Sequence, residues 1–155
     1  MIWKPYVTVA AIIERDGKFL LVEEQADGDD SVVLNQPAGH LDEAEGLIHA
    51  VMRETLEETG WHFLPQALLG AYLWQNHRTR ITYLRFAFTG IVQSHEPQRP
   101  LDQGILRAVW MSPEEIRQSQ PRHRSPQVQR CIDDFLTGRR YPLDFIHELR
   151  ADIAQ

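Results

Sequence analysis

Residues Gly39–Trp61 read GHLDEAEGLIHAVMRETLEETGW, and the spacing of the acids in this stretch governs the reading of the rest of the chain. As a helix closing before Gly60, it carries Glu54, Glu57 and Glu58 within about 100° of arc. The pairs Glu54/Glu57 and Glu54/Glu58 then have the spacings at which like charges meet and repel. Glu57 and Glu58 also fall in the last turn, where the helix dipole favours cations rather than anions. A bound divalent cation reverses both penalties, because hard ions such as Mg²⁺ take carboxylate and carbonyl oxygens and keep positions open for water and phosphate oxygens. The alternative from charge spacing alone is a solvated acidic face on which Arg53 pairs with Glu57 at i,i+4.

The wider frame separates the two. Gly39 is followed at fixed spacing by Glu45, Arg53-Glu54, Glu57-Glu58 and Gly60, a combination with a chance probability on the order of one in a million at average residue usage. This frame resembles the Nudix box, the signature of hydrolases that cleave diphosphate linkages next to an organic group. Thr55 stands where that family usually has an aliphatic residue, and Trp61 follows the final glycine. Thr55 lies with Ile48, Val51, Met52 and Thr59 on the face away from the carboxylates, which is the expected core side.

Composition sets the outer bounds. The chain has 155 residues and 43 % hydrophobic content, without an internal repeat or low-complexity tract, so one globular domain over residues 1–155 is expected. A net charge of −6 and a pI near 5.6 argue against unaided binding of nucleic acid, whose affinity rests on a basic surface. The one cysteine, Cys131, excludes an internal disulfide, and its place on an apolar stripe with Val128, Ile132 and Phe135 reads as core rather than as a reactive thiol. The N-terminal MIWKPYVTV lacks a charged leader before a long apolar region, and the uncharged run 6–13 is too short to span a membrane. A cytoplasmic protein without a membrane partner, monomeric or a small homo-oligomer, is expected.

Along the chain, residues 6–13 and 19–22 form a predicted hairpin around Asp16-Gly17, a type I′ turn signal. Their near-continuous hydrophobicity predicts strands covered on both faces. The Asp27-Gly28-Asp29-Asp30 cluster lacks the ligand spacing of an EF-hand and reads as a solvent-exposed turn. A short strand over 32–34 leads into the loop Asn35-Gln36-Pro37-Ala38-Gly39. After the helix, 68–75 and 80–92 read as an antiparallel pair, 93–104 as the longest loop, and 105–111 as a strand. Ser112-Pro113-Glu114-Glu115 is a capping box, Ser125-Pro126 opens a second helix that Gly138 closes, and 139–155 reads as a loop with a short helix. The order βββ-α-βββ-αα gives a mixed sheet with helices on both faces. It agrees with the α/β class and the α/β/α sandwich that the Nudix resemblance implies.

The resemblance implies that the carbonyl of Gly39 and the side chains of Glu54, Glu57 and Glu58 hold Mg²⁺, or alternatively Mn²⁺. Arg53 is implied to orient a carboxylate, and Glu45 could partner Arg53 or favour the helix dipole. Family members differ in the position of the general base, which leaves Glu54 as the choice within the box and Glu96 or Asp102 as loop alternatives. Some relatives carry an acid just before the isoleucine of the next strand, where this chain has Gly104, with Asp102 two residues earlier.

Further matches run over nearly the whole chain: Lys4-Pro5 with 7–10, Asn35–Leu41, Leu84-Arg85-Phe86, Ser125-Pro126, and Gly138 with Arg140-Tyr141-Pro142. They resemble a phosphatase group within the family. The group implies release of orthophosphate from nucleoside tri- and diphosphates and from thiamine-type pyrimidine pyrophosphates. A ring with a phosphate tail wants an aromatic wall and a few polar contacts, for which Trp74, Tyr83, Arg85 and His40 are candidates. The competing readings are half-buried sheet residues for Trp74 and Tyr83, a cross-sheet ion pair for Arg85, and an incidental position for His40. The alternative functions are a pyrophosphatase of a nucleoside-diphosphate-linked metabolite such as ADP-ribose or a dinucleoside polyphosphate, and a nucleotide sensor without catalysis.

Overall fold

The computed structural model describes residues 1–149. Strands β1 (Tyr6–Arg15) and β2 (Lys18–Gln25) form the expected hairpin. Asp16 and Gly17 both have positive φ, 53° and 79°, as a type I′ turn requires. Next come β3 (Val32–Asn35), β4 (Ala38–His40) and the helix α1 (Leu47–Thr59), then β5 (Trp61–Gln75), β6 (Thr82–His95) and β7 (Ile105–Met111). Helices α2 (Pro113–Gln118) and α3 (Gln127–Leu136) follow, with single 3₁₀ turns at Gln120–Arg122 and Leu143–Phe145. The part of the expected C-terminal loop and helix over 150–155 lies outside the described residues.

Three departures from the sequence reading have physical causes. The segment 38–40 is a strand instead of loop, because Thr8–Ala10 of β1 offers it an antiparallel partner. β5 starts at Trp61 rather than at 68, through irregularities at Trp61/Phe63, Pro65/Ala67 and Leu68/Gly70 that hide a period of two. Pro65 is tolerated because β5 is the outer strand of its half-sheet. Finally, Met52 is 40 % exposed instead of core.

The strands make one mixed sheet of order β3-β2-β1-β6-β5, with β4 beside β1 and β7 beside β2. The β1/β6 pair at its centre is parallel, from Tyr6↔Tyr83 to Ile13↔Gly90. β1 and β2 pair only at Glu14↔Phe19 and Arg15↔Lys18, so the halves β4-β1-β6-β5 and β3-β2-β7 are joined at the hairpin end and part beyond it. Along β1, Val9, Ala11 and Ile13 pack with Ala50 and Val51 of α1, while Ala10 and Ile12 pack with Ile116 of α2 and Cys131 and Ile132 of α3. Both faces of β1 are therefore buried, as its hydrophobic run predicts. Cys131 is core, and burial raises its thiol.

The end of the sheet near the hairpin is closed by a cation between two indoles. The guanidinium of Arg15 lies 4.8 Å from the ring centre of Trp61 and 4.7 Å from that of Trp110, and Trp61 stacks on His95 at 4.2 Å. Arg15→Ala is expected to lower stability by about 1 kcal/mol in urea titration without changing any activity; an unchanged midpoint would show that the clamp is idle.

Candidate metal and phosphate site

Helix α1 ends where the sequence says it should. Gly60 has φ 75°, and its N–H donates to Leu56 O at 2.9 Å. At the other end the N-cap Gly46 has no capping side chain, and Glu148 fills the role from the C-terminal tail, accepting from Leu47 N at 2.9 Å. Val51, Thr55 and Thr59 are buried, the threonines donating back to the carbonyls of Val51 and Thr55 at 2.7 and 2.6 Å. Glu54 and Glu58 are buried too, at 9 % and 7 % exposure. The last turn holds no basic residue.

Arg53 is the hub of this acidic surface. Its Nε and Nη2 donate to Glu45 at 2.6 and 2.9 Å, its Nη1 to Glu54 at 2.9 Å and Glu57 at 3.1 Å, and Nη2 also to the carbonyl of His40 at 3.1 Å. Asp42 stands 3.4 Å away. The guanidinium beside Glu45 holds that carboxyl down to about 2.

Gly39, on β4 opposite Val9, touches the other side of the cluster. A Cβ added there would lie 2.1–2.4 Å from the carboxyl atoms of Glu54, so a side chain at this position would push that carboxyl out of its place against the strand. Glu58 turns to the same strand and accepts from Ala38 N at 2.9 Å. Asp102 arrives from the loop before β7. Its N–H donates to Glu57 O and its carbonyl accepts from Ile105 N, both at 3.0 Å, across a turn in which Gly104 has φ 91°. Ligand oxygens of Glu54, Glu57 and Asp102 lie within 4.8 Å of one another. Glu96, the other loop candidate, is not in this group: it is exposed and pairs with His62 and Arg99.

With no cation, this is a costly arrangement. Burial pushes the Glu54 carboxyl up to about 7 against the pull of Arg53, with Glu57 and Asp102 adding to the rise. Burial pushes Glu58 up to about 9 despite the Ala38 amide, with Glu24, Glu54 and Asp102 contributing. Three carboxylates sharing a small volume, offering only oxygen donors, fit a hard divalent cation.

The aromatic candidates form a row on the α3 face of the half-sheet. Trp74 and Tyr83 stack at 5.8 Å, Tyr6 meets Tyr83 edge-on at 5.8 Å, and His40 meets Tyr6 edge-on at 5.5 Å. Tyr6 was invisible to sequence reasoning, because only its register opposite Tyr83 brings it there. His40 has an exposed ring, and its backbone is tied to Arg53. Arg85 makes no ion pair among the described residues, so the cross-sheet pair is not formed. It is 4 % exposed and donates to Gln36 Oε1 at 2.9 Å, Asn35 Oδ1 at 3.0 Å and Cys131 Sγ at 3.8 Å.

The comparisons with known proteins agree with this geometry. Residues 4–131 match the NUDIX domain family model, and the chain belongs to the Nudix hydrolase family. It is 40 % identical over 144 residues to Phosphatase NudJ of Escherichia coli K12, covering 93 % of this chain and 92 % of that protein. The same figures hold for Phosphatase NudJ of Shigella flexneri. A solved NUDIX hydrolase from Nitrosomonas europaea superposes with a TM-score of 0.92 at 53 % identity, covering 94 % of this chain and 98 % of that one.

The raised carboxyls set a pH dependence. A carboxyl that holds its proton more tightly when folded than its ordinary 4.5 makes the folded state lose stability as pH rises from about 4.5 toward its folded value. In EDTA, Glu58→Gln is expected to raise Tm relative to the unsubstituted protein, by an amount that grows from about pH 5 to about pH 8 and shrinks when Mg²⁺ is added. Thermal melts across that range check it; a Tm loss at every pH would show that the carboxylate is structural.

Proposed function

We propose that the chain is a divalent-cation-dependent phosphohydrolase releasing orthophosphate from nucleoside tri- and diphosphates and from thiamine-type pyrimidine pyrophosphates, with Mg²⁺ or Mn²⁺. The observation that carries this reading is the convergence of Glu54, Glu57 and Asp102 beside Gly39, supported by the phosphatase name of the relative 40 % identical to it. The Gly39 carbonyl, Glu54, Glu57 and Glu58 would hold the cation, with Asp102 closing the site from its loop. A cation bound there neutralises phosphate charge and makes a water more acidic.

The chain's own residues do the rest. Arg53 holds Glu54 and Glu57 at fixed angles, so neither acid is free to turn away when phosphate arrives. Glu54 accepts a proton from water as the water oxygen attacks the terminal phosphorus in line. The bridging P–O bond breaks, and its electron pair stays on the oxygen of the leaving phosphate chain. The half-buried pair Trp74 and Tyr83, with Tyr6 and His40 edge-on beside it, offers an aromatic wall to the ring of a small phosphorylated substrate. The net charge of −6 disfavours binding of long polyanions, which supports a reading without a nucleic-acid partner.

Orthophosphate and pyrophosphate release is the test, with Mg²⁺ or EDTA, across nucleoside tri- and diphosphates, thiamine pyrophosphate and ADP-ribose. Mg²⁺-dependent orthophosphate from the first three is expected; turnover of ADP-ribose alone, or nucleotide binding without turnover, would contradict the reading. Glu57→Gln should lower kcat by orders of magnitude, and Asp102→Asn by a smaller but clear factor. Glu96→Gln should leave kcat unchanged, and a loss there equal to that of Asp102→Asn would overturn the choice between the two loop acids.

A further inference from the structure

Arg85 is a buried cation surrounded by neutral groups. Among the described residues its Nη atoms reach only the side-chain oxygens of Gln36 and Asn35 and the sulfur of Cys131, and its Nε is buried without a partner. A guanidinium can only donate, so it dictates which end of each amide faces it: the oxygens turn inward and the nitrogens outward. For Gln36 the outward nitrogen is used inside the protein, donating to Val128 O at 2.9 Å. For Asn35, which is 9 % exposed, the outward Nδ2 makes no hydrogen bond among the described residues, yet it is not among the polar atoms sealed from solvent. A flip of this amide would set N–H donors against N–H donors, so its polarity is locked.

The position of that free donor is specific. Arg85 is two residues from Tyr83 on the same face of β6, opposite Thr8 of β1 and Tyr72 of β5. Trp74, Tyr83 and Tyr6 cross the sheet at the next rung, and His40 pairs with Thr8 on the rung of Arg85 itself, its ring edge-on to Tyr6. Asn35 itself is four residues before Gly39, joined to it by a chain whose Pro37 carbonyl accepts from Ala11 N at 2.9 Å. A donor with fixed polarity therefore stands beside Arg85, on the sheet face that carries the aromatic row, and four residues along the chain from Gly39 of the candidate phosphate site.

We infer that Asn35 is a specificity residue. Its Nδ2 donates to an acceptor, a carbonyl oxygen or ring nitrogen, on the planar ring of the substrate, and Arg85 is the positioning residue that fixes the amide. The inference rests on the phosphohydrolase reading for the phosphate end of the same ligand. It also explains why Arg85 is buried with amides instead of an acid: a carboxylate partner would satisfy the guanidinium but orient nothing.

Asn35→Asp is the decisive variant, because a carboxylate at this position can pair with Arg85 and keep the fold while the outward group changes from donor to acceptor. Calorimetric binding of β,γ-methylene-UTP, whose ring carries two carbonyl acceptors, is compared with binding of inorganic tripolyphosphate, both with Mg²⁺. The variant is expected to weaken the nucleotide by at least about tenfold and to leave tripolyphosphate within about twofold. In turnover, KM rises with kcat little changed, and Arg85→Lys, which keeps the charge but loses the planar fork, shifts KM in the same direction. Equal weakening of both ligands, no weakening of either, or an unsubstituted protein that binds the nucleotide no tighter than tripolyphosphate would overturn the inference. A selective loss of nucleotide binding in a protein that hydrolyses nothing would uphold the ring contact while defeating the phosphohydrolase reading.

Discussion

One guanidinium decides how this protein tolerates its own acids. Arg53 donates to Glu45, Glu54 and Glu57 and to the His40 carbonyl, so a single side chain joins the acid before α1, the carboxylates on it and the strand that carries Gly39. It does not neutralise the site. Glu54 stays near 7 beside it, because burial outweighs the shared cation, and Glu58, whose partner is the Ala38 amide and not Arg53, stays near 9. The fold thus brings acids together, orients them and leaves a deficit of positive charge, an arrangement that costs stability and that fits the proposed cation.

The surrounding architecture serves that placement. β1 is buried on both faces by α1 and by α2 with α3, which anchors β4 and hence Gly39 against Glu54. The parting of the two half-sheets beyond Arg15 and Lys18 lets β3 and β4 carry Asn35, Gly39 and His40 to the neighbourhood of β6. The loop before β7 supplies Asp102 through a turn at Gly104. β4 and the loop before β7 therefore meet the carboxylates of α1.

Much of this was legible in the sequence because local chemistry agreed with tertiary structure. The acid spacing on α1, the Asp16-Gly17 turn, the Ser112 capping box and the period of two in β6 each act within a few residues. What escaped the sequence depended on distant partners. Asp102 is indistinguishable from Glu96 in sequence, and only the bond from its N–H to Glu57 O brings it in. Arg85 read as a substrate contact or one half of a cross-sheet ion pair, but the amides of Asn35 and Gln36, at the end of β3, take its guanidinium instead of an acid. The early start of β5 was hidden by its irregularities and Pro65, and Met52 by a burial arc that shifts toward Glu54 and Glu58.

The most direct measurement is calorimetric titration of Mg²⁺ into the protein near pH 7 in buffers of different ionisation enthalpy, which counts protons released on binding. A cation entering between Glu54, Glu57, Glu58 and Asp102 must displace the protons that burial keeps on Glu54 and Glu58. Saturable binding with release of about one proton or more is the result expected, lost in Glu54→Gln. Binding without proton release, or no binding below millimolar Mg²⁺, would contradict a buried carboxylate site for the metal.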